Sequence, residues 1–591
     1  MRVGCLARCD VTNFAHPSLC QVVTLTYFLQ KIREYTASSV KSSHYSVIWT
    51  FIQYYYTHSM IKYNKIMSFY LTKPIKIALG CDVNEQSAKI AKLLRLREKD
   101  IKSVRLNRQS VDARNKDDVH FVCSYVVETD KTPVNATPYL PPVDVLLEAK
   151  PQAIRKRCVV VGAGPAGLFC SLYLAKCGIA VTVIERGSDM DKRKKSVQAF
   201  FDGGDFDEKC NVQFGLGGAG TFSDGKLTTG ISSPLTYTVL EQLVRCCAPS
   251  DILTSSLPHV GTDKLELVVE NLKREIIDNG GEFLFDTTVV DFLTEKGAVV
   301  GVQLSNGSKI HADFVVLACG HSARATFERL ADIGAEIAFK PFAVGLRIEH
   351  PLQFINTAQY GVVAATHRDL PAASYKLVHN GLSHSCYSFC MCPGGIVVAA
   401  NSECDTVVVN GMSNFARDAL SSNSALVVNV TASDVADYGF GTDAFAGVRF
   451  QRHLEKQAYA LAGGSYRAPC QNVADFLSGR VTTAFDIAPS YPRGVTSLNL
   501  RTLLPQTISD AIAEGLYQFD RKITGFGTSG VLTAVESRTS SPVRIVRDSQ
   551  FESNIKGLYP IGEGAGYAGG IVSSAVDGLR VAQSIVANLR Q

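Results

Sequence analysis

From residue 157 the apolar positions alternate between two patterns. Val159, Val160 and Val161 form a short unbroken run, which predicts a strand buried on both faces. Leu168, Leu172 and Ala175 follow at helical spacing, and Val181 to Ile184 is a second short run. Downstream, Leu265 to Asn279 is predicted as a helix, and Gly281–Val290, Gly297–Leu304, Lys309–Ile310 and Phe314–Gly320 as strands. Leu558–Pro560 then reads as a strand and Ala575–Leu589 as a final helix. Strands that alternate with amphipathic helices predict an α/β, Rossmann-like domain.

The segments on either side read differently. Pro74–Asp82 predicts a strand, Ser87–Leu96 a helix with Ile90, Ala91 and Leu94 on one side, and Val119–Val127 a strand. The charged segment from Val111 to Asp117 reads as an exposed connection. Five prolines fall in residues 129–156, which suits a semi-rigid linker. Residues 326–540 are rich in Val, Ser, Gly and aromatics and suit a mixed sheet, although no strand order follows from the pattern. The predicted division is a leader or extension at 1–73, a small α+β domain at 74–128, the linker at 129–156, and a discontinuous Rossmann-like domain at 157–325 and 541–591. Between its halves, at 326–540, sits an inserted mixed-sheet substrate domain.

Charge changes the picture only at the N-terminal end. The formal net charge is +5, but residues 1–70 hold seven Lys or Arg against two acids. The remaining 53 basic and 53 acidic side chains cancel. A neutral body gives no strong nucleic-acid signal, because counterion release needs a positive surplus. The basic leader reads as a transit peptide or as an upstream extension with Met67 as the working start. Location stays open between cytoplasm and an organellar stroma or matrix, plastids included. The 17 cysteines are an odd number and dispersed, which favours a reducing compartment. No run of 18 apolar residues predicts a membrane span.

The chemistry starts at Gly162-Ala-Gly164-Pro-Ala-Gly167, between the first strand and its helix, with Glu185 ending the next strand. Gly162 permits the tight turn, Gly164 the approach of a pyrophosphate, and Gly167 close packing of helix on strand. Glu185 is placed to accept from adenosine ribose hydroxyls, with Arg186 beside it. A second glycine turn runs from Gly562 through Glu563 to Gly570, and Ile571 follows it. The pair of turns points to FAD. No second strand-coupled Gly-x-Gly-x-x-Gly is present for NAD(P), so NAD(P)H is expected only as a transient visitor.

Longer stretches carry a more specific signal. They are Asn211-Val-Gln-Phe-Gly215-Leu-Gly-Gly-Ala-Gly220-Thr-Phe-Ser-Asp-Gly-Lys226, Tyr387-Ser-Phe-Cys390-Met-Cys392-Pro-Gly-Gly395 and Val535-Glu-Ser-Arg538-Thr-Ser-Ser-Pro-Val-Arg544. With the Gly562–Gly570 turn, they resemble a family of FAD-dependent dehydrogenases of bacteria and plant plastids, within the two-dinucleotide-binding flavoprotein group. The resemblance covers about residues 74–591. It implies FAD binding and oxidoreductase activity, and it assigns no substrate. It also implies that Glu563 bonds ribityl hydroxyls and that the glycine loop lies near the flavin. Gly217, Gly218, Ala219 and Gly220 are the expected contacts there, the first three through backbone N–H groups. Lys226 is expected to meet an anionic cofactor or substrate, or else solvent. Leu216 stands where the family pattern has an acid.

A hydride transfer to or from carbon also needs a proton donor or acceptor. His259, His321 and Cys390 are the candidates. Arg538 could hold a carboxylate or phosphate with its planar fork, or form a structural pair with Glu536. Asp263 is expected to cap the helix that follows it. The Cys386, Cys390 and Cys392 set lacks the paired spacing of a metal site, so no metal is expected. The leading expectation is an FAD-dependent oxidoreductase acting on a small organic substrate, with its electron donor or acceptor open. The alternatives are a noncatalytic FAD-binding protein and an FAD-dependent RNA-binding or RNA-modifying protein that recognises its partner through residues 74–128.

Overall fold

The computed structural model describes residues 68–152 and 155–590. The leader reading and the Met67 start therefore fall, but for residues 68–73, outside the described residues.

A five-stranded parallel sheet is the frame of the nucleotide-binding part. Its order is Leu558–Pro560, Phe314–Leu317, Arg157–Val161, Ala180–Ile184 and Glu282–Leu284. The central strands are continuous apolar runs because helices cover one face and a three-stranded antiparallel meander, residues 289–311, covers the other. The helix Pro165–Lys176 crosses the last helix, Ile571–Asn588, at close range. A Cβ on Gly578 would lie 2.2 Å from the Ala166 carbonyl oxygen, so only glycine allows that crossing. Leu168, Leu172, Val160, Val316, Val576 and Leu579 fill the space between helices and sheet.

The stretch expected as one strand over Gly281–Val290 is two. Glu282–Leu284 ends the parallel sheet, Asp286 takes φ 52, and Val289–Glu295 starts a separate antiparallel meander with Ala298–Leu304 and Lys309–His311. The break falls at Asp286-Thr287-Thr288, polar residues between two apolar runs. The helix expected from Ser87 begins earlier, spanning Val83–Leu94, because the Asp82 side chain accepts from the Glu85 N–H and caps it.

The small antiparallel sheet reaches beyond the predicted 74–128. It recruits Phe69–Thr72 from the stretch read as leader and Ala136–Pro138 from the stretch read as linker. It also contains Ser103–Asp112, whose mixed polar pattern gave no strand signal. This sheet touches both larger parts. The Gln109 N–H donates to the Thr254 carbonyl at 2.7 Å, and the Gly80 N–H donates to Asp369 Oδ2 at 2.8 Å.

Between the two halves of the parallel sheet the chain builds a seven-stranded mixed sheet. Its order is Val378–Asn380, Ser385–Cys392, Ser421–Val430, Phe342–Pro351, Val531–Glu536, Ala468–Asn472 and Val495–Ser497. The last pair is parallel and the other pairs are antiparallel. The outgoing strand Ile337–Phe339 pairs with the returning strand Val543–Ile545. A buried charge cluster ties the two parts. Glu455 takes two bonds from Arg324, at 2.9 and 2.9 Å, and two from Arg538, at 2.9 and 2.7 Å. Losing the shared carboxylate would leave two buried guanidiniums competing for Glu403. Glu455→Gln is therefore expected to lower the unfolding free energy by about 3–5 kcal/mol, read by urea denaturation.

Candidate functional site

A cleft of about 390 Å³ opens at the carboxyl ends of the parallel strands. One wall is Gly162, Gly164, Pro165 and Ala166 with Glu185; another is Gly320, His321 and Ser322; a third is Glu563, Gly570, Ile571 and Ser574. Two helices begin on this cleft, at Pro165 and at Ile571. Their unpaired N–H groups favour an anion such as a pyrophosphate.

The three glycines of the first turn differ in what demands them. A Cβ on Gly162 would sit 2.4 Å from the Ala318 carbonyl oxygen, and one on Gly167 would sit 2.0 Å from the Gly162 carbonyl oxygen. Those two are required by the protein's own packing. A Cβ on Gly164 would meet nothing nearer than 4.0 Å and would project into the cleft.

Glu185 staples three turns together. Its carboxylate accepts from the N–H groups of Ala163 at 2.8 Å, Gly187 at 2.9 Å and Gly215 at 2.9 Å. A carboxylate has about four acceptor positions, so one remains on the cleft side. The glycine loop is held from below by Arg193, which is fully buried. Its guanidinium donates to the carbonyls of Asn211, Val212, Leu216 and Gly218, at 2.6 to 3.1 Å. Burial lowers its pKa to about 10, so it stays charged at neutral pH.

The far wall comes from the large sheet, a two-stranded sheet of Ile396–Ala399 with Val409–Met412, and the segment after the glycine loop. It presents Lys226, Phe389, Cys390, Cys392, Asn410, Glu536 and Arg538. Cys390 takes φ 42 where the pairing of its strand shifts register between Phe389 and Cys392. The bulge turns Cys390 out toward the cleft. The side chain is exposed to the cleft, and the surrounding walls raise its thiol against the pull of Lys226, so the thiol is protonated at neutral pH. Burial, reinforced by Arg538 and Arg324, pulls His321 down to about 3, and the ring is neutral.

Comparison with known proteins bears on what this cleft holds. Residues 155–198 match a family described as FAD binding domain, 261–376 match FAD dependent oxidoreductase, and 341–539 match FAD-dependent protein, C-terminal domain-like. Residues 74–128 match a domain of unknown function. An uncharacterized protein of Clostridium beijerinckii is 42% identical over 526 residues, covering 87% of this chain and 97% of that one. The chain belongs to that family of FAD-dependent oxidoreductases. A digeranylgeranylglycerophospholipid reductase of Haloferax volcanii is 26% identical over 171 residues, covering 28% of this chain and 35% of that one. Among solved structures, flavin-dependent brominase Bmp2 gives a TM-score of 0.34 at 13% identity, covering 74% of this chain and 80% of that one. Glycine oxidase from Geobacillus kaustophilus gives 0.32 at 11%, covering 73% and 95%. At these scores neither likeness bears on fold or substrate.

The residues of this flavoprotein fit FAD. The cleft has a cradle that a Cβ at Gly164 would fill, two helix N-termini for a pyrophosphate, and two carboxyl groups for hydroxyl donors. Among the described residues no hydrogen bond is made by the Glu563 carboxyl, and burial pushes it up to about 7 while Lys340 opposes.

Several expected contacts are placed otherwise. Gly217 does not line the cleft; its N–H donates to the Ala163 carbonyl at 2.8 Å, and the Gly218 N–H donates to Gly215 at 2.9 Å. Neither is left as a backbone donor to flavin, while Gly218, Ala219 and Gly220 do border the cleft. The Gly562 N–H is taken by Asp577 at 2.8 Å, and a Cβ there would meet Ala166 at 2.7 Å, so this glycine serves helix packing. Arg186 lies over the Phe214 ring, 4.4 Å from its centroid, and faces a small adjoining pocket with Thr287. Leu216 is wholly buried in the core of the parallel-sheet part, so the residue there makes no side-chain contact with the cleft.

The catalytic candidates also divide. His321 and Cys390 border the cleft, whereas His259 does not: its ring stacks on Phe415 and bonds the Phe415 carbonyl at 3.1 Å. Arg538 borders the cleft, but its fork is occupied by Glu455, and a further N–H reaches Ser322 at 3.0 Å. Bidentate capture of a substrate carboxylate by Arg538 is thereby excluded. Glu536 pairs instead with Arg347, at 2.9 Å. Asp263 accepts from the Phe415 N–H at 2.7 Å rather than capping its helix, whose N-cap is Gly261.

The glycine contrast gives a direct test. Gly164→Ala is expected to leave the melting temperature of the cofactor-free protein unchanged and to weaken FAD binding. Gly167→Ala is expected to destabilise the fold itself, by about 1–3 kcal/mol from forced overpacking. Thermal melts and fluorimetric FAD titration of both variants separate the two effects.

Proposed function

We propose that this flavoprotein transfers a hydride between FAD and a small organic molecule held against the large sheet. One observation supports the reading above the others: a single cleft is bordered both by the glycine cradle and by polar side chains of the seven-stranded sheet. FAD, when bound, supplies a two-electron acceptor or donor. The chain's residues bind and orient. Glu185 and Glu563 accept from the cofactor's hydroxyls, the helix starts at Pro165 and Ile571 meet its phosphates, and the far wall receives the substrate. The Cys390 thiol is held protonated and can donate a proton there. The neutral His321 ring, 3.1 Å from Ser322 Oγ, orients by hydrogen bonding and carries no charge. NAD(P)H would reach the same cleft transiently, and the small molecule would enter from the open side.

Two measurements test this. Burial raises the Glu563 carboxyl to about 7 in the cofactor-free protein, so its carboxylate, the better acceptor, becomes the main form as pH rises through that value. FAD affinity is then expected to strengthen as pH rises through 7, by at most about tenfold per unit below it, and to level off above. In Glu563→Gln the dependence should be flat. Anaerobic titration with NADH and NADPH should bleach the oxidised flavin band with one of them, and air should restore it. A flavin that no donor or organic reductant bleaches would leave FAD in a structural role.

A further inference from the structure

The charges on the far wall do not cancel locally. Asp224 is 2% exposed, and Arg417 holds it with two bonds, Nε at 2.9 Å and Nη2 at 2.6 Å. Ser413 donates to the same carboxylate. Glu536 is likewise closed by Arg347, with Nε at 2.9 Å and Nη2 at 3.3 Å. Two buried carboxylates thus have their own guanidiniums. Lys226 is added to this pair of closed ion pairs, and its charge has no carboxylate of its own.

Lys226 Nζ lies 3.3 Å from the already paired Asp224 and 3.9 Å from Cys392 Sγ, and the side chain is 31% exposed, on the cleft. An ammonium has three donors, and neither contact is a short hydrogen bond. Cys392 also packs against Gly411, the residue after Asn410: a Cβ there would sit 2.8 Å from Cys392 Sγ. Asn410 Oδ1 accepts from Arg347 Nη2 at 3.1 Å and from the Gly411 N–H at 2.7 Å. Its amide Nδ2 donates to none of the described residues, and Asn410 borders the cleft. The Cys390 thiol is the next donor along the wall.

We propose that Lys226, with the Asn410 amide on the same wall, is the recognition site for a carboxylate on the substrate. The inference rests on the cleft being the substrate site, as in the function proposed above. The charge count selects the class. A cation whose nearest carboxylate, Asp224, is already paired with Arg417 suits a monoanion, and a phosphate dianion would bring a second negative charge beside that carboxylate. Asp224 and Arg417 hold the lysine in place and are positioning residues.

Acetate, benzoate and inorganic phosphate titrated calorimetrically into the protein as purified test this. Binding of either carboxylate, weakened about tenfold or more in Lys226→Met and restored within about threefold in Lys226→Arg, is the result expected for a charged hydrogen bond. Asn410→Ala should weaken it less. No carboxylate binding to the wild-type protein, equal binding to Lys226→Met, or tighter binding of phosphate would each overturn the proposal. So would a Lys226→Met protein that loses FAD and keeps its carboxylate affinity, since the lysine would then serve the cofactor. The heat is read whether or not FAD is present, and the flavin spectrum of the same samples tests the function reading separately.

Discussion

The site depends on one buried carboxylate. Glu185 receives N–H groups from the turn after the first strand, from the end of its own strand and from the glycine loop. These segments lie between 2 and 30 residues from Glu185 in sequence and would otherwise diverge. Arg193 completes the arrangement from the other side by taking four loop carbonyls. The loop has no regular partner for its backbone, and buried unpaired carbonyls are costly. Its shape is therefore set by an anion and a cation that meet its donors and acceptors in turn. A loop fixed this way can border a cofactor without depending on it for order.

The second constraint is the seam between the two large sheets. The chain leaves the nucleotide-binding part and returns to it on paired strands, and the Arg324–Glu455–Arg538 cluster holds the seam shut beside the cleft. The side chain that looked most suited to binding a substrate anion, Arg538, is spent on this join. The unmatched charge sits instead on Lys226, elsewhere on the same wall of the cleft. Structure and recognition are thus divided between cations that sequence alone does not distinguish.

Much of the parallel sheet was legible because its signals are local. Val159 to Val161, the glycine turn and Glu185 lie within one strand–helix–strand unit, and each has a single physical reading. The strand Ser103–Asp112 was not legible, because its face is only half buried and its polar residues hide the period. Arg193 lay among Lys192, Lys194 and Lys195 in what reads as a solvated helix face, and only the packed loop above it reveals its burial. The roles of Asp224, Arg417 and Glu455 depend on partners 83 to 193 residues away in sequence, which no local pattern encodes. His259 was drawn to the site by residue type and Asp263 to a helix cap, and both turned out to hold the Phe415 segment.

The central claim is that the cleft between the glycine cradle and the large sheet holds FAD. The most direct test is the absorbance spectrum of the purified protein, with the cofactor released by denaturation and identified by mass. The account requires FAD at one per chain, retained or restored on incubation, and lost when Gly164 is replaced by a larger residue. A protein that carries no flavin and takes up none, while remaining folded, would contradict it.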